Sequence, residues 1–174
     1  RELREIGKYD REKLSDNDRI SYDIFKREME ISLDGLALGY FGSVVLYPEH
    51  QYMPFTQFEG MPIALGQLGS GEGSQPFKSV RDYDNWLKRA SMFSTWADSA
   101  IVYFRKGIAA NIVLPASLVK KMIPQMDAMV VTDVKKSLFY GPLKKYPADI
   151  SADDKKRLTS SYENLISNQL VPAY

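Results

Sequence analysis

The sequence predicts an all-α protein, a helical bundle or array with one long ordered loop, rich in glycine, proline and aromatic residues, at about 40–78. Three observations carry that expectation. Apolar side chains recur at spacings of three and four through most of the chain, the period of a helix face rather than of a strand. Serine followed three residues later by aspartate stands ahead of several of these stretches, a pairing that can satisfy first-turn amides reciprocally. Helix breakers, by contrast, gather in one region. At 174 residues the chain fits a single helical domain or subdomain, a size at which about 70% of the unfolded surface can be buried.

The first ten residues suit a short amphipathic helix through Leu3 and Ile6. Ser15 and Asp18 then open a longer one, which carries Tyr22, Phe25, Met29, Leu33 and Leu36 on one face and which Gly39 and Gly42 end. Between 40 and 78, repeated glycine and proline rule out one long helix, although Pro62 suits the start of a short one reaching about Leu68. Residues 43–47 have strand composition without an evident partner. So many apolar side chains in a connection this long indicate a packed loop. Ser79 and Asp82 cap the next helix, with Val80, Tyr83, Trp86, Leu87 and Ala90 as its stripe. Another begins near Ser94 and carries Trp96, Ala97, Ala100, Ile101 and Phe104 before Gly107. Pro115 opens a third with Leu118, Val119, Met122, Ile123, Met126 and Met129, which Pro124 should kink or split. Thr132 to Pro147 reads as a lysine-rich connection. Ser151 and Asp154 cap a last helix that turns Leu158, Tyr162, Leu165, Ile166 and Leu170 inward.

Composition excludes several function classes. Basic side chains number 23 and acidic ones 22, a net charge of +1, where nucleic-acid binders concentrate a basic excess on one face. The pairs Lys135-Lys136 and Lys144-Lys145 and the run Lys155-Lys156-Arg157 stand near Asp133, Asp149, Asp153 and Asp154 and read as solvated helix faces. No nucleic-acid partner is expected. The longest uncharged run, Gly35 to Pro48, is shorter than the roughly 18 residues of a membrane helix, so no membrane span is expected. The chain opens at Arg1 rather than methionine, so a preceding segment is expected and the lack of a leader says nothing of export.

Chemistry is sparse. With one histidine, His50, and no cysteine, the chain lacks the ligands of a zinc site, and a lone loop histidine reads as a packing or surface residue. Asp16-Asn17-Asp18 runs straight into a helix, with Ser21 where a calcium loop needs glycine, so it reads as capping. The cluster Gly69-Ser70-Gly71-Glu72-Gly73 lacks the Gly-Lys-Ser/Thr ending of a phosphate loop. It also lacks the flanking glycines of a serine elbow and the strand that precedes a dinucleotide fingerprint. A structural turn and a ligand-facing loop both remain open. No pair among the carboxylates is singled out for acid-base work. Met122, Met126 and Met129 suit a core, or an adaptable docking face.

Several strings together resemble one family. They are Leu14-Ser15 with Asp18-Arg19-Ile20-Ser21-Tyr22-Asp23 and Phe25, then Gly69-Ser70-Gly71 with Gln75-Pro76-Phe77, and Asp82-Tyr83 with Trp86-Leu87-Lys88-Arg89. Phe93, Trp96, Asp98, Arg105, Pro115, Pro124-Gln125-Met126 and Val171-Pro172-Ala173-Tyr174 continue the register. The pattern is similar to the large bacterial family known as domain of unknown function 885.

That resemblance implies a longer, largely helical protein of which this chain is the amino-terminal part. It implies a zinc-dependent peptidase or related hydrolase whose His-Glu-x-x-Pro-Gly-His-His motif lies in a later half. No catalytic residue and no metal ligand is therefore carried onto this chain, and zinc is expected in the absent carboxy-terminal half. Ser70, Gly71, Gln75 and Arg89 match signature positions and become candidates for lining the substrate cleft. Expected partners are the remainder of the polypeptide, a peptide substrate, and a second copy covering exposed apolar patches. An exported, periplasmic or lipoprotein setting is favoured, with the cytoplasm left open. A non-enzymatic, envelope-associated binding module of unknown ligand is the alternative from another class, and a carboxylate-only enzyme complete within the chain is a further rival.

Overall fold

The protein was analysed as a computed structural model, which describes residues 1–41 and 49–174 and is an all-α array, as the periodicity indicates. Two compact units divide it, Arg1–Tyr52 and Met53–Tyr174.

In the first unit, α1 (Glu2–Ile6) and a 3-10 turn (Arg11–Lys13) precede the long α2 (Asp16–Ala37). Ser15 Oγ accepts from the Asp18 amide at 3.3 Å and donates to its carboxylate at 2.6 Å, so serine makes its half of the capping box. Side chains of α2 secure the turn before it. Arg19 donates to the carbonyls of Arg11 and Glu12 at 3.2 and 2.7 Å, and Arg11 forks onto Asp23 at 2.7 and 2.6 Å. That guanidinium holds the Asp23 carboxyl below its ordinary range. Beyond α2, β1 (Tyr40–Phe41) and β2 (Glu49–His50) pair antiparallel with Tyr40 opposite His50. The strand expected at 43–47 lies outside the described residues. His50 is buried as a packing residue: Nδ1 accepts from the Tyr52 amide at 3.0 Å and Nε2 lies 3.2 Å from the Leu38 carbonyl. Since a carbonyl can only accept, Nε2 carries the proton.

The apolar stripe of α2 is in large part open: Leu33 and Leu36 are 54% and 57% exposed and Phe25 is 40% exposed. Within its unit this helix of 22 residues meets short elements, which leave much of its apolar face uncovered.

The second unit holds the core. Inside the expected loop, α3 (Met61–Gly69) starts behind Gly60 with Pro62 in its first turn. α4 (Val80–Ala90) has the complete capping box: Ser79 Oγ accepts from the Asp82 amide at 3.3 Å while Asp82 accepts from the Ser79 amide at 2.9 Å. These bonds lower the Asp82 pKa, the Ser79 side chain contributing most. α5 (Phe93–Ala109) begins one residue earlier than expected, without a side-chain cap, and runs past the buried Gly107. α6 (Ala116–Asp127) is not split at Pro124, which lies in its last turn. The connection at 132–147 is more structured than expected. Two 3-10 helices, Val134–Lys136 and Leu138–Lys144, bury Phe139, Pro142 and Leu143. α7 (Ala152–Leu165) then passes through a π turn (Ile166–Leu170) into a final turn, Val171–Ala173.

All five residues expected on the inner face of the last helix are buried, as are Tyr83, Trp86 and Ala90 of α4. Buried large side chains each contribute roughly 1.5–3 kcal/mol. The phenols donate to carbonyls, Tyr83 to Pro142 at 3.0 Å, Tyr162 to Tyr83 at 3.4 Å, and Tyr174 to Pro62 at 2.7 Å, whereas the buried Trp86 Nε1 has no hydrogen-bond partner among the described residues. Among the described residues no helix is long and apolar enough to cross a membrane.

Burial raises the pKa of all three phenols, that of Tyr83 from 10.0 to about 12. Because the folded pKa is raised, their contribution to stability is complete below pH 10.0 and is lost as pH rises towards about 12. Tyrosinate absorbance and helical circular dichroism should therefore change together across that window. Phenols that titrate fully while helicity is retained would contradict the packing described.

Candidate functional site

The loop after α3 is placed by backbone lying against backbone. A Cβ on Gly69 would stand 2.5 Å from Trp86 Cζ2 and 2.6 Å from Phe139 Cδ1, so a hydrogen is all the space admits. One residue on, the Ser70 carbonyl faces Gly141 too closely for any side chain there. Gly71 turns the chain at φ +85°, a left-handed conformation that favours glycine, with Pro142 beneath it. Ser70 Oγ donates to the Gln67 carbonyl at 2.9 Å and accepts from the Glu72 amide at 3.1 Å. The far end of the loop is held by Gln75, which is buried. Its Oε1 accepts from Arg89 Nη1 at 2.8 Å and its Nε2 donates to the Pro76 carbonyl at 2.9 Å. The glycine cluster is thus an ordered turn with an open side.

That open side is a cleft of about 930 Å³. Residues 70–78 form one wall and residues from 136–145 the other, with Phe77 and Tyr83 between them. Ser70, Gly71 and Gln75 line it, whereas Arg89 does not and acts on it through Gln75. Lys78, Lys136, Lys144 and Lys145 line it as well, with Glu72 as the accompanying carboxylate. Four ammonium groups against one carboxylate leave the cleft strongly positive. None of these lysines is in an ion pair among the described residues.

Three of these lysines belong to pairs that read, in sequence, as solvated faces balanced by nearby acids. In the fold the Asp133 carboxylate is engaged instead as a cap, accepting from the Lys135 amide at 3.0 Å. No linear signal marks the lysines as a group, because Lys78 comes from another part of the chain.

A second concavity, about 490 Å³ between α5 and α6, is apolar, with Phe104, Ile108, Val119, Met122, Ile123 and Met126 in its lining. Met122 is core while Ile108 and Ile123 stand exposed at the rim. Among the described residues no group of three or more His, Cys, Asp or Glu could hold a metal ion, and both nitrogens of His50 are engaged.

Gly69→Ala should destabilise the protein by about 1–3 kcal/mol, because two aromatic rings must shift; urea denaturation measures this. Arg89→Met leaves the Gln75 oxygen buried without its donor, a loss of about 1–3 kcal/mol. A midpoint unchanged by Arg89→Met would mean that the contact does not hold the loop.

No curated protein and no solved structure matches this chain. The profile of a family described as "Bacterial protein of unknown function (DUF885)" matches residues 1–174. Many of the residues that carry the pattern are fastenings: Arg19 and Asp23 tie down the turn before α2, Gln125 donates to the Gln57 carbonyl at 3.1 Å, and Tyr174 reaches Pro62. Ser70, Gly71 and Gln75 differ in bordering open space. From its first residue to its last, the chain belongs to the DUF885 family of bacterial proteins.

Proposed function

We propose that this chain forms a wall of the substrate cleft in a metal-dependent peptidase or related hydrolase, with metal and acid-base residues supplied by polypeptide outside these 174 residues. The observation that carries this reading is the cleft beside the glycine turn. Its volume of about 930 Å³ suits a ligand of several residues, since ligand pockets usually span roughly 300–1,000 Å³. Its wall is pre-organised, because the glycine contacts and the Arg89–Gln75 bond fix the backbone before any ligand arrives. The chain's part in the reaction is to bind and orient. Tyr83, the phenol in the cleft wall, donates to Pro142 and is held neutral, so it offers no base at ordinary pH. On this reading the bare apolar groove between α5 and α6 and the exposed α2 stripe are surfaces for the remainder of the polypeptide or a second copy to cover.

Ser74 lines the cleft and is exposed, so a large side chain there obstructs the cleft without entering the core. In the full-length protein we expect chelator-sensitive peptide hydrolysis whose KM rises about tenfold in Ser74→Trp, equivalent to about 1.4 kcal/mol of lost binding. Thermal unfolding should stay at the parent midpoint. Peptide hydrolysis with unaltered KM in that variant overturns the cleft assignment. A full-length protein that cleaves no peptide but still binds one makes this an interaction module instead.

A further inference from the structure

The charge of the cleft specifies what it holds. Lys78 precedes α4, whereas Lys136 and Lys144 end the two 3-10 helices and Lys145 follows the second, and the fold gathers all four around one open space. Like charges brought together without partners repel one another and raise the local concentration of anions. The nearby carboxylates offset them only in part, the Asp82 charge acting on Lys78. Asp82, beside Lys78, is engaged at the cap of α4, its Oδ2 accepting from the Lys78 amide at 3.1 Å and from the Ser79 amide and hydroxyl at 2.9 Å. Among the described residues Glu72 is the one carboxylate that lines the cleft beside the four lysines. The lysines are exposed, so they add little to folding and remain available to a ligand.

Between the charges the surface is apolar. Phe77, Leu138 and Pro142 interleave with the lysines. An extended peptide presents every second side chain to one surface, so a peptide whose carboxylates and apolar groups alternate along one face can meet the lysines and the apolar patches together. A nucleic acid is a poorer fit. No arginine lines the cleft, and the rings of Phe77 and Tyr83 are packed against Trp86 and Tyr162 rather than offered for base stacking. We propose that the cleft selects acidic peptides, held by Lys78, Lys136, Lys144 and Lys145; the inference rests on the substrate-cleft reading above and narrows it to a substrate class.

The test is fluorescence anisotropy with full-length protein, in excess chelator so that binding is read without turnover. The probes are a labelled peptide repeating Glu-Glu-Leu-Leu, which places both residue types on each face when extended, and its glutamine counterpart. Each exposed charge pair contributes roughly a two- to fivefold gain, so the acidic peptide should bind about tenfold tighter at low ionic strength. The preference should shrink as salt is raised. Lys144→Glu with Lys145→Glu should abolish it. Lys120→Glu with Lys121→Glu, on α6 and outside the cleft, changes net charge equally and should leave it intact.

Equal affinity for the two peptides, or equal loss in the two double variants, overturns the proposal. Displacement of the acidic peptide by low concentrations of inorganic phosphate or an oligonucleotide also overturns it, in favour of a phosphate site. The two readings fail separately. Charge-selective binding without hydrolysis removes the peptidase reading, whereas hydrolysis blocked by Ser74→Trp but indifferent to glutamate removes the acidic preference.

Discussion

Everything distinctive about this molecule rests on two stretches of backbone lying against each other without side chains between them. The segment 70–71 and the segment 141–142 touch through Gly71 and Gly141, while Gly69 beside them rests directly on the rings of Trp86 and Phe139. Interiors are packed closely enough that one added methyl group must displace a ring or a peptide unit. Cleft geometry follows from that constraint. Both cleft walls spring from this contact, so the distance between them is set by the core and not by surface side chains. The aromatic cluster below, centred on Tyr83 and Trp86, transmits the rigidity of α4 and α7 to the turn above.

Above that bed the residues serve two purposes. Arg19, Asp23, Asp82, Gln125 and Tyr174 satisfy carbonyls, amides or a guanidinium, and thereby join segments distant in sequence. Buried or half-buried polar groups need such partners, which gives each a structural reason that requires no ligand. Ser70, Gly71 and Gln75 share that duty while bordering open space. The four lysines satisfy nothing in the fold, which is why the ligand reading falls on them. Arg89 lies between the classes, shaping the cleft through Gln75 without lining it.

Apolar surface is distributed unevenly. The core of the second unit is well covered, yet Ile108, Val113 and Ile123 around the α5–α6 groove and Leu33 and Leu36 on α2 stand exposed. Helical periodicity specifies which residues share a face, but it does not specify that anything covers the face. The same distinction explains why the stripe of α7 is buried while that of α2 is in large part open. α7 packs against α4 and the 3-10 segment, whereas α2 has short companions.

By itself the amino-acid sequence determined the local structure: the helical class, the Ser79–Asp82 cap, the inner faces of α4 and α7, and the glycine turn as an unusual place. These depend on interactions within a few residues, which a linear pattern records. Tertiary structure alone decided that a lysine-rich connection becomes a cleft wall, that α5 needs no capping serine, and that α6 continues across Pro124. It also decided that Lys78 stands with Lys136, Lys144 and Lys145. The physical reason is that side-chain charge carries no periodicity pointing to its partners in space. Convergence of residues some sixty positions apart is set by how buried rings and glycines pack beneath them.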